Sequence, residues 1–582
     1  MLRSSPMNRP TNLRPNRWVV APPISAQANQ QLDHIPPVLR QILFNRGFIQ
    51  PAEVQAFLEG RYQESTDPFL LADMDKAVAR IEQAINHDEM IVVYGDFDAD
   101  GVTSTVLLVQ ALRGLGLPRS QVIPYIPDRV DEGYGLNEEA LIGLKERGAG
   151  LVISVDCGIR SVAEVVQAQA IGLDMIITDH HSLGPELPPA QAIINPKRPD
   201  SRYPEKSLAG VGIAFKLAQA LRLHLPQKAQ FTDEDLLDLV AIGTVADLAP
   251  LKGENRKLVL DGLAVLNQAQ RPGVAALAHV SGLKPGHMTA ESIGFGLGPR
   301  INAAGRLDHA YTAAKLLAVN NAMMAQQLAQ ELNNLNKKRQ QLTADLSAQA
   351  EAMVDPNAFI LIAAAENFLS GIVGLVASRL ADRNYRPAIV LEKGETESRA
   401  SCRSIPEFHI TEALDETADL LLRHGGHAQA AGFTVANENL DRFTERIIGI
   451  AERQLADQTL HPKITIDAEI PLTAVDWALH QNLAQLEPTG YANAAPIFMS
   501  RAVEVVQHRP VGRDGSHLQL RVSGGDNGNS RILPAIAFGQ GEWASMMPQY
   551  VDLVYTIGVN EWNGRRDLQL MVQDLRPAEV MP

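Results

Sequence analysis

MIVVYGDFDADGVTS, Met90–Ser104, joins an apolar run to three aspartates at alternate positions. Met90–Tyr94 reads as a buried parallel strand, and Gly101–Gly114 (GVTSTVLLVQALRG) as the helix that follows it. Asp96, Asp98 and Asp100 then fall between a strand's carboxyl end and a helix's amino end, where open α/β sheets place their ligands. Three carboxylates this close repel one another unless a cation neutralises them, and Gly95, Ala99 and Gly101 leave room for an ion and a phosphate. Hard oxygen donors suit magnesium or manganese better than zinc. For an isolated DxDxD the alternative is a solvated acidic turn that binds nothing, so the decision rests on the rest of the chain.

Two more apolar runs end the same way. Gly150–Gly158 (GLVISVDCG) delivers Asp156, and Leu173–His181 (LDMIITDHH) delivers Asp179, His180 and His181. A lone histidine is usually structural, but donors at three strand ends favour a metal site, and mixed Asp and His donors favour manganese, with magnesium also compatible. Between them, Gln121–Pro127 reads as a strand and Pro127–Asn137 (PDRVDEGYGLN) as a loop. Arg129 and Tyr134 there are either ordinary loop residues or a phosphate contact and a base-stacking surface. Ile193–Pro196 reads as a short strand and Leu208–Leu223 as a helix. Asp233–Ala246 reads as a helix running into Gly243–Leu251 (GTVADLAPL), which sets Asp247 among apolar residues. An unpaired carboxylate there is costly, so Asp247 either completes the cluster or ends the helix at the surface. Gly294–Asp308 (GFGLGPRINAAGRLD) carries four glycines, Arg300 and Arg306, which suit either a phosphate fork or helix packing with surface arginines.

A chain of 582 residues exceeds one hydrophobic core and implies three or four domains. Two cysteines, Cys157 and Cys402, argue against a disulfide framework and for a reducing, cytoplasmic compartment. No run of eighteen apolar residues occurs, so no membrane span is expected. The net charge of −15 confines any nucleic-acid site to a local basic channel. The first 32 residues hold Arg3, Arg9, Arg14 and Arg17 among Pro6, Pro10, Pro15, Pro22 and Pro23, and read as a disordered arm. Residues 34–88 carry apolar residues at helical spacing and no chemistry.

Asn321–Val354 reads as one long helix between domains, with Leu328, Leu332, Leu335, Leu342 and Leu346 in a single stripe. Ala358–Ala364 and Ala388–Glu392 read as strands, Glu397–Ser404 (ESRASCRS) alternates small and basic residues, and a helix is expected to run to Arg423-His424-Gly425-Gly426-His427-Ala428. Glycine-rich loops beside His and Arg suit phosphate binding. From Lys463 onward short alternating strands suit an OB-type barrel that binds single strands. Trp562 and Arg565 are its candidate contacts.

VVYGDFDADGVTST, VDCG, TDHH, SLAGVGIAFKL, GTVADLAPL, GPRINAAGRLD, GIVGLVASR, CRSI, GGHAQAAG, PTGYANAAPIF and NEWNGRRDLQL together resemble the DHH phosphoesterase superfamily, and within it the bacterial single-strand-specific 5′→3′ exonucleases. They run in family order from about residue 75 to 575. The resemblance implies an α/β architecture: an arm and helical segment (1–74), a parallel-sheet DHH domain (75–320), a connecting helix (321–355), a DHH-associated domain (356–460) and an OB domain (461–582). It implies two manganese or magnesium ions held among Asp98, Asp100, Asp156, His180 and Asp247, with Asp96 and His181 close by. Asp156 is the expected bridge, and His181 the group that contacts the phosphate or protonates the departing oxygen. It further implies a 5′-phosphate pocket of Arg129, Arg300, Ser401 and Arg403, with Tyr134 near the first bases and Arg306, Gly425, Gly426 and His427 as further nucleic-acid contacts. A monomer is expected, with single-stranded DNA as substrate and a single-stranded-DNA-binding protein and a DNA helicase as partners. Two positions depart from the family pattern: Tyr94 and Leu369 stand where relatives carry histidine. The rival readings are a DHH enzyme for short oligonucleotides or cyclic dinucleotides and a non-catalytic replication scaffold; the long OB-like tail and the intact ligand set speak against them.

Overall fold

Strands as uniformly apolar as MIVVY need cover on both faces, which a parallel sheet between helices provides. The computed structural model describes residues 15–129, 131–524, 531–562 and 564–578. Arg3, Arg9, Arg14 and the side chain of Trp562 lie outside the described residues. Strands β1 (Met90–Tyr94), β2 (Val122–Tyr125), β3 (Ala149–Val155), β4 (Asp174–Thr178) and β5 (Ala192–Ile194) form a five-stranded, all-parallel sheet in the order β2-β1-β3-β4-β5. The chain steps from β1 to β2 on one side and returns to β3 on the other, so the strand order reverses between β1 and β3. That switch point is where Asp96 and Asp156 emerge.

Side chains alternate along each strand. Ile91, Val93, Leu151 and Ile153 pack under helices α1 (Met74–Asn86), α2 (Ala99–Gly114), α3 (Gly210–His224) and α4 (Glu234–Ala246). Val92, Tyr94, Val152 and Ile177 face the opposite way, against Leu141, Leu144, Val165 and Ala168. After a π-helical turn at Ser292–Leu297 comes α5 (Gly298–Leu307), then the connecting helix α6 (Ala322–Met353). Asn321 caps α6 by accepting from the Met324 N–H at 2.9 Å. Ala325, Ala329 and Leu332 belong to the first core, whereas Leu346 and Ala350 belong to the next.

That next domain holds β6 (Leu361–Ala365), helix α7 (Ser370–Asn384), β7 (Ala388–Lys393), β8 (Glu397–Arg403), β9 (Leu421–His427) and β10 (Ala430–Ala436), in the sheet order β9-β10-β8-β7-β6. Residues Arg423 to His427, expected at a helix end, are instead strand, paired with β10 from Arg423↔Thr434 to His427↔Ala430. Two adjacent glycines weaken a helix, and Gly426 at φ +152 takes a backbone shape that suits glycine.

The chain divides into two compact units, and the sheets above belong to residues 62–460. In the other unit, Phe498–Val511, His517–Gly524, Arg531–Ala537, Arg565–Pro577 and Tyr550–Trp562 pair in that order, and the last closes on the first to complete a five-stranded barrel. The amino-terminal segment joins this unit rather than standing apart. Arg17–Val20 pairs in parallel with Lys463–Ile466, and Leu39, Ile42, Leu43 and Val54 share a core with Leu518, Leu520 and Val551. Residues 17–20 and 26–31 of the expected disordered arm are strand and helix.

Candidate metal centre and phosphate pocket

Each carboxylate is fixed by backbone geometry. Asp98 caps α2, its Oδ1 accepting from the N–H groups of Asp100 (2.9 Å) and Gly101 (3.1 Å). Asp100 turns to the amino end of α3, where Gly210 and Val211 donate to its two oxygens at 2.7 and 2.8 Å. Asp156 has the left-handed φ of 62°, which is costly for a residue with a Cβ and is found where surroundings over-determine the backbone. Its N–H donates to the Thr178 carbonyl at 3.0 Å. Asp247 ends α4, followed by Leu248 at φ 58°. Asp179 does not join the donors. Its oxygens accept from the N–H groups of Ile159 (2.9 Å) and His181 (3.0 Å), and it meets His181 Nδ1 at 2.7 Å.

The remaining donors converge in three triads, each with its ligand atoms within 4.8 Å of one another: Asp96, Asp98 and Asp156; Asp100, His180 and Asp247; Asp156, His180 and His181. Asp156 and His180 are each common to two. Asp156 Oδ1 and His180 Nε2 stand 3.1 Å apart, and both atoms, like Asp96 Oδ1, are buried without a hydrogen-bond partner. Buried polar atoms left unpaired are rare, and three of them aimed into one acidic cluster fit a bound divalent cation. The electrostatics agree. Burial, then Asp98, pushes Asp100 up to about 7, and burial, then Asp100 and Asp98, pushes Asp247 up to about 9. Asp96 and Asp156 are also held well above the usual carboxylate range, by burial first and neighbouring carboxylates second. His180 is pushed down to about 3 by burial, then by His181, so it stays neutral and able to bind a metal. Burial opposes charge on His181 too, but its hydrogen bond to Asp179 together with the charges of Asp179, Asp96 and Asp100 outweighs that and raises it.

A cationic cluster lies beside the acidic one. Arg306 is lowered by burial first and then by the charges of Arg129, Arg339 and Arg403, while Asp98 acts in the opposite sense. Its Nη1 donates to the Gly371 carbonyl at 3.0 Å. Arg403 Nη1 lies 3.4 Å from Ser401 Oγ, and a Cβ placed on Gly374 of α7 would meet that hydroxyl at 3.1 Å. Arg129, Arg306, Ser401 and Arg403 therefore come together. Arg300, expected among them, donates to the Gly296 carbonyl (2.7 Å) and to Asn333 Oδ1 (3.1 Å). Arg339 on α6 was missed, because its helix reads as a spacer; the basic run Lys337-Lys338-Arg339 was the available signal. Asn302 was missed as well: its Oδ1 accepts from the Ala99 N–H at 2.7 Å and so tethers the acidic loop to α5.

Tyr134, 56% exposed, brings its hydroxyl to 3.1 Å from His181 Nδ1. Both line a cavity of about 450 Å³ with Arg160, Ser182, Gly426 and His427. Gly425 is exposed beside it in the sequence and is not among the lining residues.

A sheet that gathers aspartates and histidines at its switch point, followed by a second α/β domain, defines a DHH phosphoesterase. The DHH family N-terminal domain matches residues 90–244 and the DHHA1 domain matches 357–453. The RecJ OB domain matches 466–574. The chain belongs to the RecJ family. It is 38% identical to the single-stranded-DNA-specific exonuclease RecJ of Bacillus subtilis, over 97% of this chain and 71% of that protein. It is 36% identical to the RecJ of Dickeya dadantii, over 94% and 97%. The crystal structure of Thermus thermophilus RecJ in complex with Mn2+ superposes with a TM-score of 0.83 at 31% identity, covering 97% of this chain and 80% of that one.

Proposed function

We propose that the chain is a single-stranded-DNA-specific exonuclease that works from the 5′ end and releases 5′-mononucleotides. The observation that carries this is the juxtaposition, within one compact unit, of a largely buried acidic cluster and a half-buried arginine cluster that share Asp98 as an electrostatic neighbour. Asp96, Asp98 and Asp156 would hold one manganese or magnesium ion, and Asp100, His180 and Asp247 another, with Asp156 or His180 common to both sites. Such ions supply positive charge that polarises the phosphodiester and favours ionisation of water.

The chain's own residues do the rest. Arg129, Arg306, Ser401 and Arg403 bind a terminal phosphate dianion, which a chain interior lacks, and so place the adjoining phosphodiester over the acidic cluster. Asp179 holds His181 at Nδ1, leaving Nε2 to contact the phosphate or deliver a proton to the departing 3′-oxygen. Tyr134, Gly426 and His427 offer a surface to the first bases. The barrel unit supports grip on long strands, which favours a polymeric substrate over a dinucleotide. We further propose a role in DNA repair and recombination, a single-stranded-DNA-binding protein and a helicase as partners, and a reducing cytoplasm, consistent with two buried free cysteines, Cys157 and Cys402.

The test uses single strands labelled at either end, with manganese, magnesium or chelator. Release of labelled mononucleotide first from the 5′ end, only with metal, is the expected outcome. Label released first from the 3′ end overturns the proposed polarity.

A further inference from the structure

Phe97 lies between two candidate metal ligands, Asp96 and Asp98, yet its side chain offers no donor. It is buried, at 5% exposure. The Arg129 guanidinium carbon stands 4.3 Å from its ring centroid. On its backbone side, Gly305 approaches so closely that a Cβ there would fall 2.6 Å from the Phe97 carbonyl oxygen. The next residue is Arg306. One aromatic residue of the acidic loop is thus in contact with one pocket arginine and with the immediate neighbour of another.

The chemistry of the contact matters. A guanidinium lying over a ring face keeps its N–H edge available, whereas a carboxylate partner would occupy that edge. The ring therefore holds Arg129 in place and leaves its donors for a phosphate. We infer that Phe97 is a positioning and specificity-determining residue, fixing the distance between the terminal-phosphate pocket and the metal ligands on either side of it in the chain. This rests on Arg129 belonging to a phosphate pocket, as proposed above.

A residue that merely fills space is replaceable by another apolar side chain; a residue that presents a ring face is not. Phe97→Leu, Phe97→Met, Phe97→Tyr and Arg129→Ala are compared for kcat and KM on 5′-phosphorylated and 5′-hydroxyl single strands, with melting temperatures alongside. Phe97→Leu and Phe97→Met are expected to lower the ratio of kcat/KM for phosphorylated over hydroxyl ends about tenfold, the size of a half-buried cation–π contact. Phe97→Tyr is expected to retain the ratio. In the double variant Phe97→Leu/Arg129→Ala the ratio falls no further than in Arg129→Ala alone. If Arg129→Ala lowers the ratio while Leu and Met at 97 reduce both substrates equally, Phe97 is a packing residue and the inference is wrong. If Arg129→Ala itself leaves the ratio unchanged, the phosphate pocket is misassigned and the inference falls with it.

Discussion

Replacing Arg306 and Arg300 separately by glutamine distinguishes the proposed pocket built on Arg306 from the one that the motif suggests with Arg300. Both arginines sit on α5, six residues apart, which at 3.6 residues per turn sets them about 120° apart around the helix. Arg306 shares its surroundings with Arg129, Arg339 and Arg403, and its Nη1 reaches the Gly371 carbonyl. Glutamine keeps an N–H for that carbonyl and removes the charge. Loss of one charge-assisted contact, about 1.5–3 kcal/mol, raises KM for 5′-phosphorylated strands roughly 10- to 100-fold. The 5′-hydroxyl strand, which lacks the dianion, is expected to change by less than about threefold, since it forfeits only the weaker contacts of an uncharged end. Arg300→Gln removes a contact with Asn333 on the connecting helix and is expected to lower the melting temperature without discriminating between the two ends. The assay is steady-state hydrolysis of a matched pair of oligonucleotides differing only at the 5′ terminus. A larger selective effect from Arg300→Gln than from Arg306→Gln would refute the assignment.

Asp156→Ala is expected to abolish hydrolysis while single-strand binding, measured by anisotropy, persists; more than about a tenth of wild-type activity would remove Asp156 from a shared-ligand role, since that loss should cost several kcal/mol in the transition state. Manganese added to chelator-treated protein is expected to stabilise it by about 2.7 kcal/mol at a hundredfold excess over Kd, read as a rise in Tm, and Asp156→Ala should blunt the rise. Gly210→Ala is expected to cut kcat by about a hundredfold or more, because its Cβ would lie 2.6 Å from Asp156 Oδ1 and overpacking strains both groups; near-normal kcat would show that Asp156 can move without consequence. Removing residues 461–582 alone is expected to give an aggregating protein, since Leu39, Ile42 and Leu43 lose their core, whereas a 62–460 fragment keeps its own cores and should stay folded by circular dichroism.

Strands β1, β3 and β4 were legible because each is a continuous apolar run ended by acidic or imidazole donors, and a period-free run of that length has few other uses in an α/β chain. The candidate donors Asp96, Asp156, His180 and His181 stand just past those ends. What the sequence concealed was long-range or orientational. Arg17 pairs with Lys463 across most of the chain, and nothing local to either strand specifies the other. The RHGGH run carries no alternation, so its pairing with β10 shows only once β8 supplies the other edge for β10. Arg300 and Arg306 are equivalent as letters in a motif; only their angular positions on α5, after the π-helical turn, give them different neighbours.

The net charge of −15 ceases to be a puzzle once charges are located rather than summed. Asp98 acts favourably on both Arg129 and Arg306, so the two clusters partly neutralise each other in the free protein. Burial still leaves the arginines short of solvation, with Arg129, Arg339 and Arg403 repelling Arg306. A phosphate dianion entering there gains several desolvated donors at once, where screening by salt and water is weakest. An acidic exterior does not oppose this, because exposed charges beyond a Debye length of about 8 Å are screened at physiological salt.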